Sequence, residues 1–231
     1  MTFDMTKAWL THQWVAAGIV SAASRFIPVP FVDDLVRSRC RRFVVSRTLA
    51  AYEQEAMLDD LKPFYDADRG LFSGAISQAA KVPLKLLLFP VRKAISIATS
   101  VRGVPLEVMR TVLLGRTLER YLKTEQLSGR VEQATRMNSA FEQSFKRMDF
   151  QVIKATISDT LSGVGGWQAA AMKSAKRVLE SEDATAKEIE SEPEVDIGAN
   201  EVQAVLDRPE TLQLFAQFDQ RFDEAMAQSS N

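Results

Sequence analysis

The stretch VEQATRMNSAFEQSFKRMDFQVIKATISDTL, residues 131–161, carries the clearest structural signal in the chain. Its apolar side chains recur at alternating intervals of four and three residues, at Phe141, Phe145, Met148, Val152 and Ala155. This spacing places them along one side of an α-helix. We therefore expect one amphipathic helix over the whole stretch, with these five residues on its buried face.

The rest of the sequence up to residue 179 has the same helical character. Ala, Leu, Gln, Glu, Lys and Arg dominate it, and no part shows the alternating Val, Ile and Thr that would mark a sheet. Further helices are predicted at about 6–25, 33–60, 107–123 and 167–179. Trp9 and Trp14 are expected to be buried in the first of these. The fold class is therefore predicted to be all-α, with residues 1–179 forming an irregular multi-helix bundle.

The C-terminal part differs in composition from this body. Residues 180–201 contain nine acidic side chains and a single basic one, Lys187, so they are predicted to form a disordered acidic linker. Residues 202–231 are predicted to form a C-terminal amphipathic helix with Pro209 in a first turn. Its apolar stripe, which could bind a protein partner, consists of Leu212, Phe215, Phe218, Phe222 and Met226. Periodicity leaves open whether the helix docks on a partner or on its own body.

Charge is distributed unevenly along the 231 residues. The totals of 29 basic and 30 acidic side chains almost cancel. Residues 1–130, however, hold 19 basic and 12 acidic side chains, while residues 131–231 hold 10 and 18. This asymmetry indicates either an acidic tail that folds back on a basic body or two separate binding surfaces.

The strongest concentration of positive charge lies in residues 69–106, which we call the basic segment. Its 38 residues include six Lys or Arg and no Asp or Glu, interspersed with aliphatic side chains. Such a composition suits an anionic membrane surface, whereas the charges within 82–101 argue against a membrane span. The candidate lipid-binding residues are Lys81, Lys85, Leu86, Leu87, Leu88, Phe89, Arg92, Lys93 and Arg102. In the alternative interpretation, the aliphatic residues of 84–91 are core and the positive charges form a solvated rim.

Residues that carry chemistry are scarce. With one histidine, His12, and one cysteine, Cys40, the sequence offers no metal-ligand cluster and no disulfide framework. Phosphate-binding glycine motifs are also missing. We therefore predict no enzyme activity, no cofactor and no metal. The early acidic cluster, Glu53, Glu55, Asp59 and Asp60, is expected to form solvated ion pairs.

The arginine-rich run at residues 37–47 raises the possibility of nucleic-acid binding. It includes one aromatic residue, Phe43, whereas base stacking requires several aromatic side chains among the charges. The basic segment, in turn, is dominated by aliphatic residues. Nucleic acid is therefore not an expected partner.

The segment FIPVPFVDDLV, residues 26–36, is followed by a predicted helix. It resembles the Pro-x-Pro…Asp segment of EcsC-like bacterial proteins, and the resemblance extends over about residues 14–115. The resemblance implies a predominantly helical, membrane-associated protein and supplies no catalytic residue.

Together these observations lead to a functional hypothesis. The chain is expected to be a non-enzymatic, cytoplasmic protein that binds anionic lipids peripherally on the inner face of the cell membrane. The acidic linker would compete with the membrane for the same basic side chains. The alternative hypothesis is a soluble adaptor or scaffold that engages a protein partner through its C-terminal helix.

Overall fold

The computed structural model describes residues 2–27, 32–66, 103–181, 189 and 191–229, with side chains described from Ala8 onward. These residues form nine α-helices, two short 3₁₀-helices at Ser24–Phe26 and Glu55–Met57, and no strand. The all-α prediction is confirmed. The α-helices are α1 Thr2–Ala23, α2 Val32–Ala50, α3 Lys62–Tyr65, α4 Val104–Lys123, α5 Val131–Lys146, α6 Gln151–Ser162, α7 Trp167–Glu180, α8 Pro193–Leu206 and α9 Pro209–Gln228.

Helix α1 lies at the centre of the bundle. All residues from Trp14 to Ser24 are buried, as expected for a helix that is apolar on all sides. Helices α2, α4, α7 and α8 pack around it. The approach to α4 is close at Gly18, where an added Cβ would lie 2.8 Å from the Cα of Val108. A glycine is needed there because any side chain would push the two helices apart.

Helices α2 and α4 run in the same direction beside α1. Arg37 of α2 contacts Glu107 in the first turn of α4, and Tyr52, just after α2, donates a hydrogen bond to Glu119 further along α4. Helix α1 runs the opposite way, because its late residue Ser21 contacts Glu107. We call the two ends of this three-helix unit the Glu107 end and the Glu119 end. They lie about 18 Å apart along α4.

A second layer consists of α5 with α3 and α9 against it. Its contacts are largely aromatic. The ring of Phe141 on α5 meets Phe64 of α3 edge-on at 6.1 Å between centroids and Phe218 of α9 at 5.3 Å. Edge-to-face pairs of this kind add specific stabilisation to the burial of the rings. The last helix is therefore an integral part of the body.

The single helix predicted over residues 131–161 is wrong, because α5 ends at Lys146 and α6 begins at Gln151. Between them, the Asp149 carboxylate accepts a hydrogen bond from the Gln151 backbone N–H at 2.9 Å. The ring of Phe150 turns inward and lies 4.7 Å from that of Phe145. A local side-chain-to-backbone bond and a buried aromatic ring thus favour two helices over one.

This break changes which residues of α6 are buried. Val152, predicted on the buried face, is 81% exposed, and Ala155 is also exposed. The buried face of α6 instead consists of Ile153, Ile157 and Leu161. The predicted stripe therefore holds for Phe141 and Phe145 and fails beyond the break.

Three other predictions need correction. Trp9 is 44% exposed, whereas Trp14 is buried as expected. Helix α2 ends at Ala50, and turns with the short 3₁₀-helix Glu55–Met57 replace its predicted continuation to residue 60. The acidic linker prediction is wrong for residues 193–201, which belong to α8, because Val195, Ala199 and Val202 form a buried stripe there. Of the remaining linker, residues 182–188 and 190 lie outside the described residues.

Candidate functional site

The nine candidate lipid-binding residues, all between positions 81 and 102, lie outside the described residues, but both flanks of that part of the chain are described. On one side, the Asp66 carboxylate accepts a hydrogen bond from the Ser38 hydroxyl at 2.6 Å. On the other side, Gly103 lies directly against the guanidinium of Arg25, so that a Cβ on this residue would collide with it. Ser38 lies early in α2 and Arg25 follows α1 at the Glu107 end. The last described residue before this part of the chain and the first one after it therefore both lie at the Glu107 end.

A buried carboxylate organises this end. Glu107 is 4% exposed and accepts a hydrogen bond from the Ser21 hydroxyl at 2.9 Å. Two guanidinium groups lie close to it, with Arg37 Nε 3.5 Å and Arg25 Nη2 3.9 Å from its oxygens. A buried carboxylate is costly unless it is paired and hydrogen-bonded, and these contacts provide both. The four residues, called the Glu107 cluster below, connect α1, α2 and α4.

The first turn of α2 extends the cluster outward. Arg37 Nη1 lies 3.0 Å from the Asp34 carboxylate, and Arg37 Nη2 lies 3.7 Å from that of Asp33. Carboxylates in this position also complement the positive end of the helix dipole. Both aspartates therefore have a structural role at the start of α2.

Cys40 lies one turn beyond Arg37 and is fully buried. Burial, and secondarily the charge of Glu107, raise the pKa of its thiol far above the ordinary range. Because the thiolate is the nucleophile, a thiol held in its protonated form is inert.

Besides Arg37, two further arginines of the run at 37–47 make contacts within the chain. Arg39 Nη1 donates hydrogen bonds to the backbone carbonyls of Val178, Leu179 and Ser181 at the C-terminal end of α7. A cation at this position also interacts favourably with the helix dipole. Further along α2, the Arg47 guanidinium lies 5.1 Å from the centre of the Trp9 ring.

The apolar stripe of the C-terminal helix faces its own body. Phe215 is 5% exposed and Phe218 and Phe222 are fully buried, whereas Leu212 is 47% exposed and Met226 is half-buried. Of the two docking alternatives, the structure therefore has the intramolecular one. To bind a partner through the three phenylalanines, α9 would first have to detach. Because Leu212 is exposed, it does not belong to the buried stripe.

Charge reinforces the docking of α9. Arg116 of α4 lies 2.7 Å from the Asp219 carboxylate, and Arg120 makes two bonds of 2.7 Å to Asp223. The Arg116 guanidinium also lies 5.3 Å from the centre of the Phe215 ring. Two acidic side chains of α9 are therefore paired with basic side chains of α4.

An open cleft of about 360 Å³ lies beside these pairs. It is lined by Arg120, Tyr121, Thr124, Gln126, Asp223 and Met226. Since Arg120 and Asp223 neutralise each other, the cleft offers little net charge to a ligand. Within the described ranges, no group of three or more His, Cys, Asp or Glu could hold a metal ion.

The Glu119 end is acidic. Glu119 itself is buried, accepts the hydrogen bond of Tyr52 at 3.1 Å and lies 2.7 Å from Lys123 Nζ. Around it, the loops after α2 and α4 contact each other through Met57 and Gly129. These loops carry five exposed carboxylates, those of Glu53, Glu55, Asp59, Asp60 and Glu125. The early acidic cluster thus lies in a loop beyond α2, where the sequence had predicted helix.

Sequence reasoning missed the Glu107 cluster. The sequence predicts Glu107 only as the start of a helix, and no pattern marks Ser21. A glutamate two residues after a proline, as in Pro105 and Glu107, is equally typical of a helix start that is exposed to solvent, so the pattern does not predict burial. Burial of this particular glutamate depends on α1 and α2, which are remote in sequence.

Comparison with protein-family models, curated proteins and solved structures found no match to this chain. The EcsC-like character stays a prediction from residues 26–36. In the part of the chain that the structure describes, no helix has both the length and the apolar content required to cross a bilayer.

Proposed function

We propose that this protein associates peripherally with anionic membranes through the basic segment and has no enzymatic role. The proposed location is the cytoplasmic face of the cell membrane. The observation that supports it most is the composition of the basic segment. The segment contains six positive charges and many aliphatic residues, and it contains no Asp or Glu. Each basic side chain near an anionic surface contributes about 1 kcal/mol, so Lys81, Lys85, Arg92 and Lys93 together would give reversible attachment.

The described body adds a second line of support. The acidic helix α9 has its Asp219 and Asp223 paired with arginines of α4, so these two carboxylates are already engaged at another site. The flanks Asp66 and Gly103 also hold both ends of the intervening chain on one side of the body. Such an arrangement suits a segment that contacts a surface while the bundle remains folded.

The test is flotation with liposomes of phosphatidylcholine, with and without phosphatidylglycerol, across a salt series. Wild-type protein is compared with a variant in which Lys81, Lys85, Arg92 and Lys93 are changed to Glu. We expect recovery of the wild type with anionic liposomes only, falling as salt rises, and loss of recovery for the variant.

A matched control separates the segment from overall charge. Arg130, Lys146, Lys176 and Arg208 are exposed on the described body, so changing these four to Glu alters the net charge equally. The control variant should still float with anionic liposomes. Equal recovery of the wild type with neutral and anionic liposomes, or equal loss in both variants, would contradict the proposal.

The adaptor alternative has less support. It assigned partner binding to the stripe on α9, and Phe215, Phe218 and Phe222 are covered by the chain itself. Because these phenylalanines pack into the core, removing residues 180–231 would expose the core and could not test the acidic linker alone. Neutralising Glu182, Asp183, Glu188 and Glu190 in the full chain tests it instead, and tighter liposome binding is the expected result.

A further inference from the structure

We infer that the cleft between α4 and α9 binds a small, neutral aromatic molecule that carries an amide group. The inference is independent of the proposed membrane association, because every residue that lines the cleft belongs to the described body. Arg120 and Tyr121 come from α4, Thr124 and Gln126 from the chain that follows it, and Asp223 and Met226 from α9. The volume of about 360 Å³ lies in the range of small-molecule sites, about 300–1,000 Å³.

The charged groups of the cleft favour a neutral ligand. Arg120 makes two hydrogen bonds of 2.7 Å to the Asp223 carboxylate, so the two charges compensate each other. A bound anion would approach Asp223 as well as Arg120, and a bound cation would meet the same conflict with Arg120, unless the pair breaks. Arg136 is close enough to influence the pKa of Tyr121, but it does not line the cleft.

Two hydrogen-bonding groups of the cleft remain available to a ligand. Tyr121 is 7% exposed, and among the described residues its hydroxyl has no hydrogen-bond partner. Burial, and secondarily the charge of Asp223, raise the pKa of Tyr121, so its hydroxyl lies near the carboxylate that borders the cleft. Within the described ranges the side-chain amide of Gln126 is also unpaired, since the hydrogen bonds of this residue use backbone atoms only. Thr124, by contrast, already donates its hydroxyl hydrogen to the Arg120 carbonyl.

These groups define the chemistry of the ligand. The Gln126 amide and the Tyr121 hydroxyl can each donate and accept a hydrogen bond, so a ligand amide, which also does both, can satisfy them without carrying a charge. Met226 is half-buried and supplies an apolar wall, and a thioether makes favourable contacts with aromatic rings. A ring that carries an amide therefore matches both the polar and the apolar parts of the cleft. Because α4 and α9 both contribute, a bound ligand would also stabilise the docked position of α9.

Binding is tested with three probes of the same shape and different charge, benzamide, benzoate and benzamidine. Saturation-transfer difference NMR on the full-length protein, without lipid, measures the Kd of each probe. For a probe of this size in an open cleft we expect a Kd of roughly 1 mM for benzamide, and binding at least about tenfold weaker for the two charged probes. Absence of benzamide binding at concentrations up to about 20 mM overturns the inference. Equal or tighter binding of benzoate or benzamidine overturns it as well.

Two variants test whether benzamide binds in this cleft. Gln126→Ala removes an exposed amide, and Tyr121→Phe removes only a hydroxyl. Each should weaken benzamide binding about 2- to 10-fold, the contribution expected of one hydrogen bond between neutral groups. Gln213→Ala, which removes an exposed amide of α9 outside the cleft, is the matched control and should bind benzamide as the wild type does. If Tyr121→Phe fails to fold, Gln126→Ala decides alone. Unchanged affinity in the cleft variants, or an equal loss in the control, overturns the inference.

Discussion

Truncation of Phe218 tests whether the C-terminal helix belongs to the folded body. The side chain is fully buried, with its ring 5.3 Å from that of Phe141 and 6.3 Å from that of Phe222. Removing a buried phenylalanine side chain costs about 3–5 kcal/mol, since transfer energy is lost and a cavity remains. For a chain of this size, that loss lowers Tm by about 6–20 °C. We therefore expect Phe218→Ala to destabilise the whole protein severely.

Leu212→Ala provides the matched control. Leu212 belongs to the same sequence stripe as Phe218 but is 47% exposed, so its truncation should change the free energy of unfolding by about 0.5 kcal/mol or less. Urea unfolding followed by circular dichroism at the helix band measures both variants. Comparable stabilities for Phe218→Ala and the wild type would refute docking of α9 on the body. A large loss in Leu212→Ala would show that the assigned helix face is wrong.

Three further predictions concern the α1–α2–α4 unit. Gly115→Ala should destabilise the fold by about 1–2 kcal/mol in thermal unfolding, because its Cβ would lie 2.6 Å from Trp14 Nε1, while Gly165→Ala, with open space around it, should not. Glu53→Gly should raise the free energy of unfolding by about 1 kcal/mol, since Glu53 has a φ of 56° after the end of α2, and an unchanged or lower value would contradict this. Burial and the neighbouring carboxylate of Glu119 raise the pKa of Tyr52, so the folded protein keeps this proton at a pH where the unfolded chain loses it. The free energy of unfolding should therefore fall as pH rises above about 10, and denaturant titrations should show a smaller fall for Tyr52→Phe.

Helical periodicity predicted the fold class and most helices, but failed where a local interaction opposed it. In residues 131–161 the four-and-three spacing continued through Met148 and Val152, yet the chain breaks between them. Aspartate is a residue type that favours helix starts, and the Asp149 carboxylate accepts a hydrogen bond from the Gln151 backbone N–H at the start of α6. Apolar spacing alone did not reveal this start. Capping residues inside a periodic stretch therefore carry information that apolar spacing alone does not.

Acidic composition was similarly misleading in residues 193–201. The count of carboxylates predicted disorder. Val195, Ala199 and Val202, at intervals of four and three, instead form the buried face of α8, and this spacing is typical of an amphipathic helix. For the following helix, the stripe itself was largely correct, but its docking partner could not be predicted. That partner, α5, is defined by contacts such as the one between Phe141 and Phe218, which only the folded chain brings together.

The candidate site could be predicted only in part. The one-sign charge of the basic segment is evident from composition, whereas the position of its flanks beside Glu107 depends on long-range contacts. Ser21 and Glu107 are 86 residues apart in sequence, and neither belongs to a motif that would connect them. Sequence could therefore suggest what the segment binds but not which end of the body carries it.

Because α1 is central, it cannot complete its packing during synthesis until residues late in the sequence have been made. Ser21 finds its partner 86 residues later, and the carbonyl of Ala8 accepts a hydrogen bond from Gln203, 195 residues later. At typical synthesis rates of about 5–20 residues per second, the first helix waits roughly 10–40 s for its last neighbour. During that interval the apolar part of the helix, residues 14–23, is exposed on the nascent chain, a condition that attracts chaperones and favours aggregation. Stalled or truncated translation products should consequently be cleared far faster than the full-length chain.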